Sequence, residues 1–74
     1  MSRLPVLSGR EVVRALEQVG YVRDRQRGSH IVLRATKSPH RRVVVPDHDE
    51  VAKGILRAIL RQAGLSVEQF LTLL

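Results

Sequence analysis

The chain has 74 residues, 13 Lys plus Arg against 7 Asp plus Glu for a formal charge of +6, and no cysteine. That length allows one small domain, residues 1–74, with no second core, and the missing cysteine excludes disulfide scaffolds and thiolate metal sites. The excess positive charge points to a polyanion (nucleic acid, an acidic protein or an anionic membrane) or else to a thermally robust Arg-rich surface with no ligand, while Tyr21 and Phe70, the only aromatics, disfavour base stacking on several rings.

Ser8-Gly9-Arg10-Glu11 fits a capping box, in which Ser8 accepts from the amide three residues on and Glu11 reaches back. Val12, Leu16 and Val19 recur at helical spacing beside Val13, and Gly20 supplies a left-handed stop. A first amphipathic helix is therefore expected. Tyr21 to Gln26 alternates loosely as a polar-faced strand, and Arg27-Gly28-Ser29 is a turn. His30-Ile31-Val32-Leu33-Arg34-Ala35 is a second strand, Lys37 to His40 a second turn, and Arg41 to Val45 a third strand stopped by Pro46.

Asp47-His48-Asp49-Glu50 reads as an acidic loop whose carboxylates would complement the dipole of the helix that follows. Val51, Ile55, Ile59 and Ala63, beside Leu56 and Leu60, predict a broad apolar stripe on that helix, ended by Gly64. Ser66 to Gln69 repeats the capping-box pattern and opens a short last helix carrying Val67, Phe70, Leu71 and Leu74. That apolar segment can pack within one molecule or hold a weak homo-oligomer together.

The predicted fold class is α+β, in the order α-β-β-β-α with a short C-terminal helix. A three-stranded antiparallel meander would carry the helices on one face and leave the other open and basic. Double-stranded-RNA-binding domains (dsRBDs) have this two-layer plan. No apolar run approaches the roughly 18 residues that span a bilayer, and Met1 to Pro5 has no secretory signal character. A soluble cytoplasmic protein with no membrane partner is expected.

Gly28-Ser29-His30 is the focus of this layout. It lies in the segment Arg23 to Arg42, which holds seven positive side chains (Arg23, Arg25, Arg27, Arg34, Lys37, Arg41, Arg42) and one acid, Asp24. A titratable imidazole among fixed positive charges suits a site that holds a phosphodiester and moves a proton, so RNA is the first substrate to consider. His30 is the candidate general acid/base. Against this stands a histidine that only caps the hairpin turn or packs at the start of the strand. Gly28 and Ser29 can contact a phosphate through the backbone and hydroxyl, or simply form the turn. Arg23, Arg25, Arg27, Arg34, Arg41 and Arg42 are candidate phosphate ligands, and strand alternation lets about half of them face the open side. Lys53 and Arg61 can extend the track, though solvation of a helix explains them as well. His48 between Asp47 and Asp49 is better read as loop than as metal ligand, and no metal site is expected. His40 reads as a turn residue. A second catalytic group from His40 or His48 stays open.

These residues resemble the HicA (YcfA-like) toxin family of type II toxin–antitoxin systems. The resemblance rests on Gly28-Ser29-His30 before a strand and Val45-Pro46 with His48 two positions on. Lys53-Gly54, the run Ile59 to Ser66 and the first helix ending at Gly20-Tyr21 complete it. The chain departs from the pattern at Ile55, where a small hydroxyl residue is expected, and in its more acidic Asp47–Glu50 loop. The resemblance implies a dsRBD-like fold and an mRNA-cleaving endoribonuclease with no metal or other cofactor. It further implies that His30 is catalytic and that a HicB-like antitoxin inhibits the enzyme. A non-catalytic RNA-binding module of the same fold is the alternative.

Overall fold

The computed structural model describes residues 3–74. Helix α1 spans Gly9–Glu17, and its start is held by the expected reciprocal cap. The Glu11 amide donates to Ser8 Oγ (3.2 Å) and the Ser8 amide donates to Glu11 Oε1 (2.9 Å). The bond from the Ser8 backbone, aided by the Ser8 side chain and more weakly by Arg14 and Arg10, holds the Glu11 carboxyl below its ordinary value. A depressed folded value means that Glu11 stabilises the protein fully at neutral pH and loses that effect as pH falls through the lowered value. Melting temperatures of wild type and Glu11→Ala should therefore converge in acid. Ser8→Ala should cost about 1 kcal/mol at neutral pH in a denaturant titration.

Val12, Val13, Ala15 and Leu16 turn inward from α1, but Val19 is exposed. The helix stops at Glu17, and the turn to Gly20 (φ +94°) takes Val19 off the helical spacing that predicted its burial.

Strands β1 (Tyr21–Arg27), β2 (His30–Ala35) and β3 (Arg42–Pro46) form an antiparallel meander in the order β1-β2-β3. Tyr21, Ile31, Leu33, Val43 and Val45 face the helices and are buried with Leu16, Leu56 and Phe70. The Tyr21 hydroxyl donates to the Ala63 carbonyl across this core (3.2 Å). Helix α2 covers Lys53–Ala63, and α3, Val67–Leu71, starts on a second capping box from Ser66 and Gln69. The result is the expected dsRBD-like α+β arrangement, helices on one face of the sheet and the other face uncovered. No helix among the described residues is long and apolar enough to cross a membrane.

Two expectations about α2 are corrected. Its inward stripe is Leu56, Ile59, Leu60 and Ala63, whereas Ile55 is 46% exposed and Val51 is buried ahead of the helix. Its first turn holds no acid, because the 47–50 loop turns back onto α1 instead. There the Gly9 amide donates to the His48 carbonyl (2.9 Å), and Arg10 reaches Asp47 (3.5 Å) and Asp49 (3.7 Å). Leaving β3 at Pro46, the chain passes the N-terminus of α1, where the Gly9 amide has no partner within the helix and donates to the His48 carbonyl.

Candidate functional site

The hairpin between β1 and β2 closes on the facing pair Arg27 and His30, with Gly28 and Ser29 as its two-residue turn. Gly28 has φ +57°, and a Cβ there would meet nothing within 4 Å, so glycine is needed for conformation rather than for space. Ser29 is exposed, and its carbonyl accepts from the Asp47 amide (2.6 Å), which ties the turn to the end of β3. His30 is exposed as the first residue of β2.

Directly opposed residues of an antiparallel pair project from the same face. Burial of Ile31, Leu33, Val43 and Val45 marks the inner face, so His30, Val32 and Arg34 project outward from β2. Three cross-strand rows result on the outer face. The first is Arg27 and His30, with the buried Pro46 as the β3 register partner of His30, the second Arg25, Val32 and Val44, and the third Val22, Arg34 and Arg42.

Arg25 and Arg27 reach this face because the register of β1 slips at Asp24. Tyr21 points into the core, and simple alternation would send positions 23, 25 and 27 the same way. The extra residue reverses the alternation, as a β-bulge does, and puts both arginines beside His30. Asp24 itself reaches across the face to Arg42, Oδ2 to Nη1 at 2.7 Å.

Of the six candidate arginines, Arg25, Arg27, Arg34 and Arg42 share the open face with His30. Arg23 belongs to the other side of the edge strand, with Nη1 3.5 Å from Gln26 Oε1. Arg41 precedes β3 and donates to the Gln62 carbonyl (3.4 Å), over the C-terminal end of α2 where a positive charge suits the helix dipole. His40, with φ +57° and Nδ1 3.1 Å from the Ala35 carbonyl, sits in the turn at the far end of the sheet. His48 lies at the same end as His30, just past Pro46, and is exposed. Among the described residues no three His, Cys, Asp or Glu side chains gather as an ion site would need.

Two residues escape a reading of the sequence. Gln26 Nε2 donates to the Gly28 carbonyl (3.1 Å) and to Asp47 Oδ2 (3.3 Å), bracing the hairpin against the 47–50 loop. Asp24 is the other, and its bulge has no local signal beyond a polar residue among arginines. Its carboxylate competes with any polyanion for Arg42. Asp24→Asn should therefore tighten binding of single-stranded RNA, and the slope of log K against log salt should steepen by about 0.7 as Arg42 neutralises one further phosphate. Fluorescence anisotropy across a salt series measures both, with Glu68→Gln as the control for net charge.

A family model described as HicA toxin of bacterial toxin-antitoxin matches residues 9–65, from the start of α1 to just past α2, and so contains the whole sheet and the hairpin. No curated protein matches the chain.

Proposed function

Since the chain belongs to the HicA toxin family, we propose that it is a toxin endoribonuclease that cleaves mRNA through His30 without a metal and is restrained by a HicB-like antitoxin. The observation that carries this reading is the register. His30 faces Arg27 across the closing pair of the hairpin, on a sheet face that also presents Arg25 and Arg34.

Cleavage of RNA without a metal uses the ribose 2′-hydroxyl as internal nucleophile. Its oxygen attacks the adjacent phosphorus as its proton leaves to a base, and the P–O5′ bond breaks as an acid protonates the departing oxygen. The products are a 2′,3′-cyclic phosphate and a 5′-hydroxyl. Neutral imidazole can serve as the base and imidazolium as the acid, so His30 fits either step. Arg27 is placed to meet the extra negative charge of the pentacoordinate phosphorane, which the ground state lacks. Ser29 and the unobstructed Gly28 backbone offer further phosphate contacts at the turn. Arg25 and Arg34 hold neighbouring phosphates. An antitoxin that is acidic where it meets this face would exclude RNA by covering the same cations.

Expression of the chain in bacteria without a partner tests the reading. Growth should stop, and RNA from the arrested cells should carry 5′-hydroxyl ends at new positions. Arrest with intact RNA would contradict cleavage and favour a non-catalytic RNA-binding module.

A further inference from the structure

The open face is not uniformly basic. Between the His30 row and the Arg34 row lies an apolar floor formed by Val32 and Val44, a directly opposed pair on β2 and β3. Val44 is 45% exposed, and Val22, on the next row, is also exposed. Valine is stiff at χ1, so this floor is formed before anything binds. Cations border it on two sides: Arg27 and Arg25 along β1, and Arg34 on the next row of β2.

Four residue steps along the strand backbone separate His30 from Arg34, about 13 Å. An RNA strand that runs from phosphates held at His30 and Arg27 to phosphates held at Arg34 passes over Val32 and Val44, which lie on the row between. Those side chains offer neither donor nor acceptor, so they suit the uncharged face of a base or its ribose rather than a phosphate. In a duplex the base faces are already covered by their stacking neighbours and cannot be laid on a protein surface.

Resting on the ribonuclease reading above, we propose that Val32 and Val44 form a base-seating subsite one step from the scissile phosphate, which restricts the substrate to single-stranded RNA. An apolar floor has no hydrogen-bonding pattern to match, so it accepts any of the four bases. The subsite selects for strandedness and not for sequence. Asp24, paired with Arg42, closes the third row and marks where the track ends.

Binding of a single-stranded hexamer with 2′-O-methyl riboses throughout tests this independently of catalysis, because such a strand has no 2′-hydroxyl to attack. Its partner is the same backbone without bases. Wild type should bind the base-free strand about tenfold more weakly, a loss matched to burial of a small apolar area. In Val44→Ala the difference should fall to about twofold, with Val44→Thr, which keeps the branched shape, in between. An equal loss in all three proteins would overturn the subsite and leave the ribonuclease reading standing. So would a fully paired form of the hexamer that binds wild type as tightly as the single strand. Failure of wild type to bind the base-bearing hexamer even at low salt would overturn both.

Discussion

His30→Ala is expected to lower the rate of RNA cleavage by about 10²–10⁴-fold, the usual cost of losing a general acid or base. The fold should not change. His30 is exposed at the first position of β2, and the core beneath the sheet is built from Ile31, Leu33, Val43 and Val45 instead. Binding should also persist, because the charges that hold the backbone belong to Arg25, Arg27 and Arg34. The loss therefore falls on kcat, whereas Arg25→Ala or Arg34→Ala should chiefly raise KM. Circular dichroism, anisotropy with an uncleavable strand and a rate assay on one preparation separate the three effects. A variant that cleaves as fast as wild type would remove His30 from the mechanism.

Gly9→Ala should be strongly destabilising, although it adds a single methyl group. Helix propensity alone would favour alanine there by up to about 1 kcal/mol. The packing decides otherwise. A Cβ on Gly9 would collide with the Pro46 carbonyl oxygen and lie 3.0 Å from the Pro46 carbonyl carbon and 3.1 Å from Asp47 Cα. All three are backbone atoms with no rotamer to yield. Relief requires α1 to lift from the end of β3, which also stretches the bond from the Gly9 amide to the His48 carbonyl. A loss of about 3 kcal/mol is expected, as for a strained overpacked site. A domain of this size has a total stability of only ~4–11 kcal/mol. The melting temperature should drop by about 12–24 °C. Activity should suffer as well, since Pro46 is the register partner of His30 and the Asp47 amide holds the Ser29 carbonyl. An unchanged melting temperature would show that the α1–β3 junction is looser than this packing requires.

What could be read from the chain was local. The Ser8 and Ser66 caps involve residues three apart, and both formed as expected. Strands β2 and β3 announced themselves through branched aliphatic runs between turn residues, and the meander followed from the short turns. What could not be read depends on distant partners. The 47–50 acids serve α1 because Arg10, 37 residues from Asp47 in the chain, meets them there. Arg41 leaves the sheet for the end of α2, a contact that no spacing encodes. The largest gap lay in β1. Period-two alternation from the buried Tyr21 puts Arg25 and Arg27 under the helices, and only the slip at Asp24 returns them to the face of His30. Ile55 and Val19 fell outside the core for a simpler reason, that an apolar residue at helical spacing is buried only where the helix runs and the stripe is covered.

Metal-free cleavage of RNA through the ribose 2′-hydroxyl is the step on which the proposed function depends. Its most direct test is a single-stranded, end-labelled RNA incubated with the purified protein in EDTA, beside a copy carrying one 2′-deoxyribose at the cleavage position. The all-ribose strand should be cut to a 2′,3′-cyclic phosphate and a 5′-hydroxyl, and the substituted strand should stay whole at that position. Cleavage at the deoxy position, or a strand left intact until a divalent ion is restored, would contradict the mechanism.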